Sequence, residues 1–173
     1  MCLSSAVNRN MAWVFISLGS NIDREQLTRS GVAALRQRYG ELLLSSVYKS
    51  EAVGFEGEDF YNMVIGLQTE DDVDTVYQSL RQIEDEHGRD RSGPRFSSRT
   101  LDLDLLLYDD LILQQGKLEI PRDEILERAF VLWPLAEIAA EKIHPVVKQS
   151  YAELWSAFDK SKEVLEPIDF EFE

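Results

Sequence analysis

The sequence predicts an α+β fold, a single antiparallel sheet with two helices laid on one face, on three observations. Four apolar runs have the length of strands, two segments carry apolar residues at helical spacing, and polar or glycine-containing breaks separate them in the order β-α-β-β-α-β. That order is the ferredoxin-like pattern, and a helical and edge-strand extension comes after it.

Trp13-Val14-Phe15-Ile16-Ser17-Leu18 reads as a buried strand ended by Gly19-Ser20-Asn21. Asn21 or Asp23 is positioned to cap a helix to about Tyr39, with Leu27, Val32, Leu35 and Tyr39 on its apolar face and Gly40 as its stop. Leu42 to Tyr48 forms the second strand, Lys49 to Asp59 an acidic loop, and Phe60 to Thr69 the third strand. Asp71 or Asp72 caps a second helix through Val73, Val76, Leu80 and Ile83, which stops near His87-Gly88. Gly88 to Ser98 is a polar loop, and Leu101 to Tyr108 is the fourth strand. Leu118 to Pro121 resembles an edge segment, and short helices are expected near Ala129–Glu141, interrupted by Pro134, and near Tyr151–Phe158. The expected domain covers residues 13–160, between a frayed extension (1–12) and an acidic tail (161–173) whose last nine residues, with four Asp or Glu, should trail in solvent.

Length and composition narrow the function. A chain of 173 residues suits one core, and a net charge of −14 opposes general nucleic-acid binding, which needs a basic surface. No apolar stretch approaches the roughly 20 residues of a membrane span, the first residues lack the basic start of a signal peptide, and the single Cys2 leaves no internal disulfide. The expectation is a cytoplasmic protein in which any anionic substrate is held by a local positive patch or by metal ions.

The segment Arg99-Thr100-Leu101-Asp102-Leu103-Asp104-Leu105 is the most informative. Side chains alternate along a strand, so Leu101, Leu103 and Leu105 share one face, and Asp102 and Asp104 the other. Their Cα atoms stand roughly 6.5–7 Å apart, a spacing that lets both carboxylates serve one Mg²⁺ or each serve one of a bridged pair. The competing reading is a wet strand face that happens to carry Asp; the low strand propensity of Asp and like-charge repulsion weigh against it.

Upstream, residues 88–99 hold Arg89, Arg91, Arg95 and Arg99 against one Asp90, a local charge of +3. Arginine forks suit phosphate oxygens. A solubilising loop is the plain alternative, but arginines on a flap beside metal-binding carboxylates are what phosphoryl transfer requires.

Ile16 to Asn21, Tyr48 to Gly54, Asp59-Phe60-Tyr61-Asn62, Gly88 to Arg91, Arg99 to Tyr108 and Arg128-Ala129-Phe130-Val131-Leu132-Trp133-Pro134-Leu135 together make the chain resemble the hydroxymethyl-dihydropterin pyrophosphokinases of folate biosynthesis. The resemblance, running from about Trp13 to Phe158, implies transfer of the β,γ-diphosphate of ATP to a hydroxymethyl-dihydropterin, with AMP released. It implies two Mg²⁺ ions on Asp102 and Asp104, catalytic roles for those aspartates and for Arg89 and Arg99, and nucleotide contacts from Arg81, Glu84, Arg89, Arg95, Arg99, Arg122 and Arg128. It implies a pterin site from Ser50, Val53, Phe60, Asn62, Phe96 and Phe130. It also implies a monomer with ATP and a reduced pterin as its partners.

Three positions depart from the family pattern. Phe96-Ser97-Ser98 replaces Trp-Gly-Pro, giving a smaller lid; Glu51 stands where Pro is usual; and Arg122 replaces a phosphate-contacting His. A divergent relative that binds pterin or nucleotide with little turnover, and a two-metal nucleotidyl transferase on a similar fold, are the rival readings. The second accounts for the aspartates but not for Phe60, Asn62 and Phe130.

Overall fold

The computed structural model describes residues 11–52, 57–88 and 100–172. The elements run β1 (Ala12–Ser20), α1 (Arg24–Tyr39), β2 (Leu43–Leu44), β3 (Val47–Ser50), β4 (Phe60–Thr69), α2 (Val73–Glu86), β5 (Asp102–Tyr108), β6 (Leu113–Gln115), β7 (Leu118–Ile120), α3 (Glu124–Glu127), α4 (Ala129–Ala139), α5 (Tyr151–Ala157) and β8 (Leu165–Ile168). The main sheet has the order β5-β1-β4-β3-β8, with β2 also on β4 and every pairing antiparallel. The fold is therefore α+β, as the pattern of runs predicts.

Strand alternation sorts the sheet into two faces. Val14, Ile16 and Leu18 of β1, Met63, Ile65 and Leu67 of β4, and Leu103 and Leu105 of β5 join Val32, Leu35, Val76, Leu80 and Ile83 of α1 and α2 in one core. On the opposite face Phe15, Val64 and Leu106 meet Val131, Leu132 and Leu135 of α4, with Tyr151 of α5. The first two helices thus lie on one face, as expected, and the C-terminal helices cover part of the other. The remainder of that second face carries Phe60, Asn62, Asp102 and Asp104.

Several local expectations are corrected. β1 continues through Gly19 to Ser20, whose hydroxyl reaches the Thr100 carbonyl. The 42–48 strand is split at Ser45-Ser46: the Val64 amide donates to Ser45 Oγ (2.9 Å), and the Ser46 amide turns outward to donate to Glu137 (3.0 Å). Beyond the break, β3 extends to Ser50, into the expected loop. Asp23 opens α1 with a left-handed backbone (φ 46°) and makes no side-chain cap, and the Asn21 amide is directed to the Glu58 carbonyl. Asp72 does cap α2, accepting from the Thr75 amide at 2.8 Å. α4 passes through Pro134 without ending, because Val131, Leu132, Leu135 and Ala139 pack it into the second core. His87 joins α2 to α1 through Ser30 Oγ at 2.7 Å.

The largest correction concerns the C-terminus. Residues 165–168 do not trail in solvent but pair with β3, and Ile168, Phe170 and Phe172 pack against the first core. These apolar residues alternate with Asp169 and Glu171, so the acids face out while the aromatics are covered.

At Gly66 the Phe15 ring of β1 lies against the place a β4 side chain would occupy. A Cβ there would lie 2.9 Å from Cε1 of Phe15, a ring that is itself 1% exposed and has little room to move. Gly66→Val should destabilise the protein by about 1–3 kcal/mol, read as a lower urea midpoint with an unchanged slope.

Candidate active site

β5 is the edge strand of the sheet, and one of its outward amides is buried against α2. Glu84, 2% exposed, accepts from the Leu103 amide at 2.9 Å. That bond fixes the strand between Asp102 and Asp104. The register then sets a row across the sheet: Asp102 opposite Gly19, Gly19 opposite Asn62, Asn62 opposite Tyr48. With strands 4.7–4.9 Å apart, the backbone positions of Asp102 and Asn62 are separated by about 10 Å.

Gly19 leaves the floor between them open. A Cβ on it would project to 3.5 Å from Asn62 Oδ1 and 3.8 Å from Cδ1 of Phe60. Asn62, 6% exposed, is oriented by donating its Nδ2 to Ser50 Oγ at 2.6 Å.

A cleft of about 770 Å³ stands over this row. It brings together Ser50, Phe60, Asn62, Arg81, Glu84, Asp102, Asp104, Arg122, Arg128 and Phe130 from the residues singled out in the sequence. Val53, Arg89, Arg95, Phe96 and Arg99 lie outside the described residues. Sequence reasoning misses Ser17, Gly19, Tyr77, Lys117 and Glu119, which also line the cleft. For Gly19 the local signal points elsewhere: a glycine before Ser-Asn reads as a strand end, whereas the strand runs on through it to Ser20.

The electrostatics of the cleft are dominated by carboxylates, eight against four cationic side chains among its described lining residues. Burial, and then the neighbouring Asp102, hold the Asp104 carboxyl well above the usual carboxylate range. Arg122 opposes this from 3.6 Å, with Nη2 facing Asp104 Oδ1, while its Nε and Nη2 donate to Glu124 Oε1 at 3.1 and 2.9 Å. The Arg122 amide also donates to the Leu106 carbonyl at 3.1 Å, tying this wall of the cleft to β5. Burial alone would lower the Arg122 pKa; Asp104 and Glu124 outweigh it and raise it.

Divalent cations suit these residues. Two hard oxygen donors on one rigid face repel each other and lose that repulsion when a cation sits between them. Among the described residues no group of three or more His, Cys, Asp or Glu is arranged to hold a metal. Two carboxylates alone match Mg²⁺, which retains waters and takes phosphate oxygens for its other positions.

The family model for 7,8-dihydro-6-hydroxymethylpterin-pyrophosphokinase matches residues 15–140. The chain belongs to this family. Among curated pyrophosphokinases, the Bacillus subtilis protein is 39% identical over 131 residues, covering 73% of this chain and 78% of that relative. The Haemophilus influenzae pyrophosphokinase is 39% identical over 140 residues, covering 78% and 86%. A solved Plasmodium falciparum HPPK-DHPS chain shares the fold, with a TM-score of 0.69 at 13% identity, over 84% of this chain and 41% of that longer one. The match to the pyrophosphokinase model takes in β1, β4, β5 and α4, the elements that carry the cleft.

Arg122 is the cation nearest the aspartate pair among the described ion pairs. Arg122→Gln leaves Asp104 facing Asp102, Glu84 and Glu124 without that guanidinium. In chelator-containing buffer the variant should be less stable by about 1–3 kcal/mol, measured by urea unfolding against the parent protein.

Proposed function

We propose that this protein transfers the β,γ-diphosphate of ATP to the hydroxymethyl oxygen of 6-hydroxymethyl-7,8-dihydropterin, releasing AMP, as a step of folate biosynthesis. The observation that carries this reading is the row Asp102–Gly19–Asn62, which sets a carboxylate pair and an amide-aromatic pocket at the two ends of one cleft, in a chain of the pyrophosphokinase family. The strand order β5-β1-β4-β3, with α1 and α2 packed on one face, supports a ferredoxin-like core.

Each end has its own chemistry. At the acceptor end, Asn62 offers an acceptor and a donor to the edge of a flat heterocycle, and Phe60 and Phe130 offer ring faces. Ser50 fixes the amide's orientation, and Val53 and Phe96 complete this end in the reading drawn from the family resemblance. At the donor end, Asp102 and Asp104 would hold two Mg²⁺ ions. Bound there, they would offset the triphosphate's charge and draw electron density from the phosphorus under attack. Arg128, Arg81 and Arg122 supply positive groups to the same cleft, with Glu84 holding β5 in place. Arg89, Arg95 and Arg99 are assigned to the phosphates in the reading drawn from the family resemblance.

In the reaction the hydroxymethyl oxygen attacks the β-phosphorus and gives up its proton to solvent, the bond from that phosphorus to the α,β-bridging oxygen breaks, and AMP leaves with that oxygen. The site then has mainly to position and to stabilise charge, which is where phosphoryl transfer gains its rate. The −14 net charge makes a nucleic-acid partner unfavourable, and a single cysteine fits a reducing cytoplasm. Among the described residues no helix is long and apolar enough to cross a membrane. We read the chain as a monomer.

Timed product analysis tests the assignment. AMP should appear from ATP only when hydroxymethyl-dihydropterin is present; pyrophosphate instead would indicate nucleotidyl transfer, and binding without AMP a catalytically silent relative. Asp102→Asn should cut turnover by about 10³-fold, the factor equivalent to losing several kcal/mol of charge stabilisation, while its far-UV circular dichroism and unfolding midpoint stay near those of the parent. Retained turnover in that variant would remove the metal assignment.

A further inference from the structure

The C-terminal segment joins the molecule at the strand that bears one end of the acceptor pocket. β8 pairs with β3 at Val47–Ile168, Tyr48–Pro167, Lys49–Glu166 and Ser50–Leu165, so the last pair of this ladder includes the residue whose hydroxyl orients Asn62. Without β8, β3 would be an outer strand ending at Ser50, with its backbone groups open to water on that side.

Beyond β8 the chain reaches round to the back of the same platform. Phe170 meets the Tyr61 ring edge-on, with centroids 5.9 Å apart and an interplanar angle of 86°. Arg29 of α1 lies over Phe170 at 4.4 Å and donates from Nε to the Glu171 carbonyl at 2.7 Å. On Tyr61 the guanidinium of Arg24 lies 4.3 Å from the ring centroid, and Arg24 Nη1 also donates to the Asp59 carbonyl at 2.8 Å. Tyr61 is therefore held by an aromatic ring and a guanidinium on the helical side of the sheet, while its neighbours Phe60 and Asn62 project from the other side into the cleft. A shift of Tyr61 must move both of them.

We propose that residues Leu165–Phe172 act as a brace for the acceptor half of the cleft, with Phe170 and Arg29 as positioning residues that set the placement of Ser50, Phe60 and Asn62. The inference rests on the proposed function, in which this half receives the pterin. The donor half hangs on β5, at the opposite edge of the sheet, where it is held by β1 and by Glu84 of α2. Loss of the brace should therefore fall on one substrate only.

The test compares the parent with Phe170→Ala, Phe170→Tyr and Arg29→Met, the last removing the hold on Phe170 and Glu171 from a helix surface without entering the core. Initial rates of AMP formation give the KM for each substrate, and amide hydrogen exchange reports on β3 and β8. In Phe170→Ala and Arg29→Met the KM for hydroxymethyl-dihydropterin should rise by about three- to tenfold, as expected for losing one aromatic or cation–aromatic contact. The KM for ATP should stay within about twofold of the parent, a change too small to register as a lost contact. Exchange at β3 should quicken, and Phe170→Tyr should restore parental values.

Equal changes in both KM values, or an unchanged pterin KM together with faster exchange at β3 and β8, would overturn the proposal. So would unaltered exchange in both Phe170→Ala and Arg29→Met. A parent protein that forms no AMP would instead refute the functional reading itself, an outcome separate from these.

Discussion

The geometry of the molecule depends on two like charges sharing one face of an edge strand. Asp102 and Asp104 stand there because Leu101, Leu103 and Leu105 must enter the core between the sheet and α1/α2; alternation allows no other place for the residues between them. The leucines supply the burial that keeps the strand in register, and Glu84 captures an amide that an edge strand would otherwise leave to water. The core thus enforces an electrostatically unfavourable pair. Arg122 relieves only part of that repulsion in the protein alone, since its guanidinium is shared with Glu124.

This constraint is legible in the sequence because it is local. A strict apolar–acid alternation over five residues identifies strand, face and chemistry together. Asn62 and Phe60 are legible as same-face neighbours for the same reason. The row that joins them to the aspartates depends instead on the pairing of β1 with both β4 and β5, and strand pairing is not written in any one segment. Gly19 shows the cost of that: its sequence context speaks for a turn, whereas it lies within β1 at the centre of the row, between Asp102 and Asn62.

The C-terminal strand is hidden by its charge. Ile168, Phe170 and Phe172 alternate with Asp169, Glu171 and Glu173, the same period that identifies β5, yet four acids in nine residues suggest a solvated tail. Period outweighs net charge here because Phe170 packs on Tyr61 beneath the Arg29 guanidinium and Phe172 packs on Phe170. The arginines at 89, 95 and 99 carry no such period; local charge and the family resemblance single them out, and they lie outside the described residues.

In the proposed reaction the described part of the cleft, with twice as many carboxylates as cations, favours a triphosphate whose charge is already partly balanced. A nucleotide entering with divalent ions would bring positive charge to Asp102 and Asp104. A nucleotide without ions meets repulsion from the same residues, scaled up by the restricted access of water. On that proposal the repulsion that the core imposes on β5 would itself favour the metal complex over the free nucleotide. Arg122 fits that scheme as a tethered cation: near enough at 3.6 Å to steady Asp104 when no ion is bound, and anchored by Glu124 on a wall from which it can face a phosphate oxygen instead. A neutral histidine at this position would not counter the carboxylate in the same way.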